Sequence, residues 1–214
     1  MTDKQNIYII GCGGFSKEVY FLINEINEYN VKGFIEPNPT KNYFNIDNKK
    51  IPIIDEDLFL SMYKGENIVI GIGRPLIIES LSKKFKDFNY PNIIHNSFTY
   101  HKNNINMGIG NIITAGVRFT TGITIGSFNI FNLNMTVGHD TIIGDGNVFN
   151  PSTNISGNNK VGNNNLFGVG SISLENLTIG NYNVIGASSL ITKSITDNGV
   201  YMGIPSKFIK NNKQ

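Results

Sequence analysis

From Met107 to Ile191 every sixth residue is apolar, and only Ser173 breaks the series. A period of six fits neither a lone helix nor a lone strand. It is the period of a hexapeptide β-helix, in which each hexapeptide lays down one flat face and three faces close a coil. A second rhythm gives the coil length. Asn111, Asn129, Asn147, Asn165 and Asn183 recur every eighteen residues, which is three hexapeptides. Asn tolerates the left-handed backbone of a tight corner, so these residues are expected at corners. Glycine follows many of the six-fold positions, as at Gly126, Gly138, Gly144 and Gly162. Large side chains are thus expected inside and small or turn-forming ones at the corners. A sandwich of short strands also shows regular turns, but it would not hold phase over so long a run.

The first hundred residues follow a different pattern. Ile7–Ile10 reads as a short buried strand, Gly11–Gly14 as a turn, and residues 15–29 as a helix with Val19, Leu22, Ile23 and Ile26 on one face. Val31–Ile35 reads as a second strand. Residues 51–54 read as a short extended piece and 55–63 as a short helix. Ile68–Ile70 reads as a third strand, 75–88 as another amphipathic helix, and 91–94 as a fourth strand. This alternation predicts a small parallel sheet covered by helices. The expected fold is therefore an α/β N-terminal domain, residues 1–98, followed by a left-handed parallel β-helix of hexapeptide repeats, residues 99–214.

Composition narrows the function classes. The 214 residues are 40% hydrophobic and 16% charged, with a net charge of +2. No basic stripe recommends nucleic acid. No apolar run is long enough to span a membrane. The opening residues Met1–Asn6 lack the apolar core of a signal peptide. A single cysteine, Cys12, has no internal disulfide partner. Together these favour the cytoplasm. Three histidines, of which His95 and His101 precede the repeats, do not make a β-helix zinc site, and no metal is expected.

Candidate chemistry lies in two places. In a small open parallel sheet, ligands bind at the carboxyl ends of the strands. Gly11, Cys12, Gly13 and Gly14, then Glu36-Pro37-Asn38, then Gly71-Ile72-Gly73-Arg74 stand there. Glycine lets the backbone approach a phosphate, and the helix that follows presents free N–H groups. Lys17 or Arg74 could meet the same phosphate. However, Ser16 fills the third glycine slot of the dinucleotide pattern, so a tight turn without ligand fits equally well. The second place is His139, the one histidine within the repeats. Histidine is the side chain most readily used as a base near neutral pH. Gly157 lies eighteen residues on, hence one coil away, where its N–H could meet an oxyanion. Spacing alone also allows a surface histidine near a corner with Gly157 as a turn residue, and that plainer reading stays open.

The residues Ile9-Ile10-Gly11-Cys12-Gly13-Gly14, Gly33-Phe34-Ile35-Glu36, Ile70-Gly71-Ile72-Gly73, His139-Asp140-Thr141-Ile142-Ile143-Gly144-Asp145 and Gly203-Ile204-Pro205-Ser206-Lys207 run in an order that resembles a known family. It is that of bacterial sugar acetyltransferases with a small Rossmann-like domain and a left-handed β-helix. These include N-acetyltransferases for UDP- or dTDP-linked 4-amino-4,6-dideoxy sugars and the sialic acid O-acetyltransferases. The resemblance implies a homotrimer that uses acetyl-CoA, with active sites between subunits, working in surface glycan synthesis such as that of lipopolysaccharide. It implies His139 as general base supported by Asp140, Gly157 as oxyanion donor, and Asn132 near the sugar amine. It places the nucleotide against Gly11–Gly14, Glu36, Gly73 and Arg74. It places the CoA arm beside Gly157, Gly203, Pro205 and Lys207. Three positions depart from the family pattern: Pro37 replaces half of an acidic pair, Phe15 stands where His is frequent, and Val148 replaces a second, CoA-side histidine.

Overall fold

The computed structural model describes residues 4–212. Met1–Asp3, part of the opening segment read above, and Lys213–Gln214 lie outside the described residues. The chain divides into two compact units. One runs to Gly73 and takes in Ser80–Ile93; the other comprises Arg74–Glu79 and everything from Ile94 on.

The first part of the chain forms β1 (Gln5–Ile10), α1 (Gly14–Ile26), β2 (Tyr29–Glu36), β3 (Tyr43–Ile46), β4 (Lys49–Asp55), α2 (Glu56–Met62), β5 (Ile68–Ile70) and α3 (Pro75–Lys84). The strand order is β3-β4-β2-β1-β5. Pairings are parallel except between β3 and β4. Ile7–Ile10 is buried throughout, as a strand covered on both faces must be. Val19, Leu22, Ile23 and Ile26 form the buried face of α1. Asp55, read from sequence as the first residue of a helix, caps α2 instead. Its Oδ1 accepts from the N–H groups of Asp57 at 3.0 Å and Leu58 at 3.2 Å. The β3–β4 hairpin was not foreseen; it turns through Asp47 and Asn48, both left-handed (φ 48° and 59°), as a two-residue hairpin turn requires. The fourth strand is a correction. Ile93–Ile94 joins a β-helix face next to Ile112–Ile113. Beyond β5, among the described residues, the N-terminal sheet carries a single bridge, Asn67 to Asn89.

The rest is the β-helix. Its first face stacks Ile105–Met107, Ile123–Ile125, Ile142–Ile143, Lys160–Val161 and Thr178–Ile179. The second stacks Ile112–Ile113, Ile130–Phe131, Val148–Phe149, Leu166–Phe167 and Val184–Ile185. The third stacks Arg118–Phe119, Thr136–Val137, Asn154–Ile155, Ile172–Ser173 and Leu190–Ile191. All are parallel and pair at eighteen residues, as in Ile125↔Ile143, Phe131↔Phe149 and Val137↔Ile155. This stack matches the left-handed β-helix expected from the repeats. The six-fold residues line the interior; Phe131, Phe149 and Phe167 stack at centroid distances of 5.2 and 4.7 Å. Ser173, the exception in the series, is also fully buried, and its Oγ accepts from Asn159 Nδ2 at 3.3 Å.

The corners differ from expectation by one residue. Left-handed backbone occurs at every sixth position from Gly110 to Ser188. At the corner between the first and second faces these are Gly110, Phe128, Gly146, Asn164 and Tyr182, not the asparagines that follow them. Asn111, Asn129, Asn147, Asn165 and Asn183 are instead fully buried and form a ladder. Each Oδ1 up to that of Asn165 accepts from the backbone N–H of the next asparagine, at 2.8–2.9 Å, and Asn183 Oδ1 accepts from Gly199 N–H at 2.8 Å. Many glycines after the inward residues serve close approach between coils: a Cβ on Gly138 would lie 2.4 Å from the Gly157 nitrogen.

Candidate active site

His139 and Asp140 sit at the corner between the third and first faces, between Thr136–Val137 and Ile142–Ile143. Adjacent residues on a strand point to opposite faces, but Asp140 is left-handed (φ 57°), and this turns its side chain back onto its neighbour. Asp140 Oδ2 lies 2.8 Å from His139 Nδ1. A carboxylate only accepts, so in neutral His139 the proton is on Nδ1 and the Nε2 lone pair is free. Both side chains are exposed (60% and 68%), so the pair is open to a ligand.

Gly157 stands one coil away, and Asn158 N–H donates to the His139 carbonyl at 2.6 Å. A Cβ on Gly157 would come within 2.7 Å of His139 Nε2. The imidazole therefore lies against bare backbone. Gly157 is buried, yet its N–H meets no acceptor among the described residues. A free lone pair and a spare N–H thus stand on neighbouring coils. Such an arrangement can take a proton from a nucleophile and donate to the oxygen of a carbonyl under attack. The other histidines are engaged by hydroxyls: His95 Nδ1 with Ser97 at 2.7 Å, and His101 Nδ1 with Thr121 at 2.8 Å.

In the N-terminal unit, the three predicted loops meet at the carboxyl ends of β1, β2 and β5. Gly11, at φ 100°, donates to the Ile35 carbonyl at 2.8 Å, and Gly71 N–H donates to Ile10 at 2.9 Å. Gly13 and Gly14 are exposed at the start of α1, with open space where a Cβ would stand. Gly73 approaches Phe15. Ser16, seen in the sequence only as a missing glycine, is fully buried and tethers the loops. Its hydroxyl donates to the Gly71 carbonyl at 2.9 Å and accepts from Gly13 N–H at 3.3 Å. Burial, then the Glu36 carboxylate beside it and a hydrogen bond to that group, push the Cys12 thiol from 9.0 up to about 12. Cys12 is therefore a thiol, not a nucleophile, at neutral pH. Lys17 holds its ammonium 5.8 Å over the Phe44 ring.

The remaining candidates lie elsewhere. Asn132 and His139 flank opposite ends of the strand Thr136–Val137; Asn132 is buried, and its Oδ1 accepts from Leu133 N–H at 2.9 Å. Gly203 (φ 102°) and Pro205 lie in the exposed turn between strands Gly199–Met202 and Lys207–Asn211, and Lys207 opens the second of these strands. The Gly203 carbonyl accepts from Leu190 N–H at 3.0 Å, which ties this turn to the end of the third face. Arg74 groups with the β-helix unit, where it lines a cavity of about 360 Å³ with Leu76, Leu166 and Tyr182. Glu79, in the same unit, accepts there from Asn164 Nδ2 at 3.2 Å. Val148 is buried in its strand. Among the described residues no group of His, Cys, Asp and Glu could hold a metal ion, and no helix is long and apolar enough to cross a membrane.

Residues 6–85 match the family described as the PglD N-terminal domain. No curated protein sequence matches the chain. In structure the chain is similar to a variant of perosamine N-acetyltransferase from Caulobacter crescentus in complex with CoA and GDP-perosamine. The identity is 24%, 99% of each chain is covered, and the TM-score is 0.87. It is similar to the acetyltransferase domain of PglB from Neisseria gonorrhoeae FA1090 in complex with acetyl coenzyme A, at 24% identity over 97% of this chain and 100% of that one, with a TM-score of 0.88. A variant of AntD, an N-acyltransferase from Bacillus cereus in complex with dTDP-4-amino-4,6-dideoxyglucose and coenzyme A, is 21% identical over 57% of this chain and 81% of that one, with a TM-score of 0.52. These likenesses establish the fold, an α/β domain followed by a β-helix.

Proposed function

We propose that this protein is an acetyl-CoA-dependent N-acetyltransferase acting on the amino group of a nucleotide-linked 4-amino-4,6-dideoxy sugar. One observation carries the reading: His139, its Nδ1 engaged by Asp140, turns a free Nε2 toward the coil whose Gly157 N–H is unspent. The similar structures hold CoA together with GDP-perosamine or with dTDP-4-amino-4,6-dideoxyglucose, and this favours an amine over a hydroxyl as the acceptor.

In this mechanism the sugar amine attacks the acetyl carbonyl, and the thiolate of CoA leaves. His139 Nε2 takes the proton that the nitrogen sheds, and Asp140 stabilises the imidazolium that results. Gly157 N–H donates to the carbonyl oxygen as it gains charge. Gly203, Pro205 and Lys207 would hold the CoA arm, and Asn132 would face the amine. The loops at Gly11–Gly14, Glu36 and Gly73, with Arg74, would take the nucleotide, its phosphates at the exposed start of α1. The active form is a homotrimer with sites between subunits. The reaction belongs in the cytoplasm, where it supplies an N-acetylated sugar for surface glycans such as lipopolysaccharide.

The test is release of free CoA thiol from acetyl-CoA with GDP-, UDP- and dTDP-linked amino sugars. Rapid release is expected with one of them, and His139→Ala should slow it by about 10²–10⁴-fold. Near-full turnover in His139→Ala would remove histidine from the mechanism. Release only with hydroxyl sugars such as sialic acid would make the protein an O-acetyltransferase. No release with any acceptor would leave a scaffold or binding module. Light scattering should give a particle three times the 23.7 kDa of one chain.

A further inference from the structure

Four successive coils place Gly122, Asp140, Asn158 and Asn176 one above another at the corner that carries His139. All are left-handed, with φ of 69°, 57°, 55° and 62°. In the upper pair the side chains bond to each other: Asn158 Nδ2 donates to Asn176 Oδ1 at 2.6 Å. In the lower pair there is no such bond, because position 122 has no side chain. Asp140 Oδ1 occupies the space instead, 2.5 Å from where a Gly122 Cβ would stand. Its other oxygen faces His139 Nδ1 at 2.8 Å.

Conformation does not explain this glycine. Asn134, Asn158, Asn164 and Asn176, and also Ser152 and Ser188, hold the same left-handed backbone at other corners. What glycine alone supplies is room. Gly116 and Gly146 have the same relation to the next coil, with Asn134 Oδ1 2.1 Å and Asn164 Oδ1 2.2 Å from their Cβ positions. Only over Gly122 is the tucked side chain an acid bonded to a histidine.

We infer that Gly122 is a positioning residue that fixes the proton of His139. Its bare Cα lets the Asp140 carboxylate settle where it accepts from Nδ1–H, and this leaves Nε2 as the basic nitrogen. An asparagine at 122 would donate to that carboxylate, as Asn158 does to Asn176, and draw it off the imidazole. Free imidazole side chains prefer the opposite tautomer, with the proton on Nε2, so His139 would then present the wrong nitrogen. The inference rests on the acetyltransferase reading for its catalytic consequence, but not for its structural one.

The experiment compares full-length Gly122→Asn with wild type, Asp140→Asn and a control, Gly170→Asn. Gly170 is left-handed too (φ 65°), but its nearest neighbour, Ser188 Oγ, is 3.7 Å from the Cβ position. Two-bond ¹H–¹⁵N spectra of neutral imidazoles read the tautomer, with the His139 signals identified by their loss in His139→Ala. Wild type and Gly170→Asn should show the Nδ1–H form. Gly122→Asn and Asp140→Asn should shift toward Nε2–H. Acetyl transfer by Gly122→Asn should fall to the level of Asp140→Asn, up to about 10²-fold below wild type, with no further loss in the double variant. A folded Gly122→Asn protein that keeps the Nδ1–H form and wild-type turnover overturns the inference. If Gly122→Asn does not fold, Gly122→Ser replaces it, since serine holds this backbone at 152 and 188. If wild type transfers acetyl to nothing, the acetyltransferase reading fails, and the tautomer spectra alone decide the role of Gly122.

Discussion

His139 is an exposed side chain whose orientation comes from atoms that are absent. Gly157 and Gly122 both owe their importance to a missing Cβ. The effect at Gly157 is testable by itself. A methyl there would lie 2.7 Å from Nε2 and 2.9 Å from Cε1 of His139, so the ring must swing away. Gly157→Ala should lower turnover by about 10²-fold while thermal unfolding moves little, because the displaced ring is on the surface. Full turnover with a folded protein would show that the ring position does not matter. Cys12 is a second case of local control. With its pKa raised to about 12 by burial and then by Glu36, it stays almost wholly protonated at pH 9, where a free thiol is already substantially ionised. Alkylation by iodoacetamide should therefore be slow at neutral pH and quicken only as the pH climbs toward 12. Glu36→Gln removes the carboxylate's part of the shift but not the burial, so labelling at a given pH should speed up without reaching the rate of the unfolded chain.

At the scale of an element, each β-helix coil is held by polar groups that the hydrophobic period hides. Asn147 Oδ1 accepts from the backbone N–H and the side chain of Asn165, and its own Nδ2 donates to the Gly162 carbonyl at 2.9 Å. Asn147→Ala orphans several buried groups and should cost about 2–4 kcal/mol at roughly 1–3 kcal/mol for each unpaired group. Ser173→Ala looks similar on paper, since it too removes a buried polar partner. But Asn159 Nδ2 has carbonyl acceptors besides the serine, at Ser156 (2.7 Å) and Leu174 (2.9 Å). That change should cost under about 1 kcal/mol. Urea unfolding of the two variants measures the contrast, and equal losses would refute it. The eighteen-residue rhythm of asparagine was visible in the sequence, as was the inward series. What the asparagines do was not, because a corner residue and a ladder residue differ by one position, and Asn suits both. The Asp47-Asn48 hairpin turn was legible in principle, as two turn-forming residues between extended segments. The pairing of Asp140 with His139 was expected from the resemblance, but the space at Gly122 that Asp140 Oδ1 fills was not read; counting eighteen residues back finds the position, yet only the packing of the two coils shows that a side chain there would displace the carboxylate.

The whole molecule poses a question that periodicity does not answer, namely how a repeating column stops. Coils of a β-helix touch only their neighbours, so an end is an open sheet edge with unpaired N–H and C=O groups. Here the last coil is shortened: Ile179 pairs with Ile195, and Ile185 with Tyr201, at sixteen residues instead of eighteen. This loss of phase is why the inward series fades after Ile191. The shortening has a local consequence, as Asn183 Nδ2, at the top of the ladder, is buried without a partner. The strand Gly199–Met202 then closes the second face, with Val200 and Tyr201 buried, and Lys207–Asn211 folds back antiparallel along it. Backbone bonds tie this tail to the preceding coil. Gly186 N–H donates to the Tyr201 carbonyl at 2.8 Å, and the Leu190 carbonyl accepts from Ser206 N–H at 2.7 Å. The returning strand also sets Lys207 and Lys210 on the outer edge, a placement that opposes further strand pairing. The tail therefore acts as a cap as well as lying where the CoA arm is proposed to run. A chain ending at Lys193 would keep the preceding coils but expose the interior side of Ile185 and the unpaired edge beside it. Such a chain should associate into large particles, detectable by light scattering during purification, whereas His139→Ala at full length should not. If the shortened chain instead stays monodisperse with an unchanged circular dichroism spectrum, the column must close without its tail, and the tail's only role would be at the ligand.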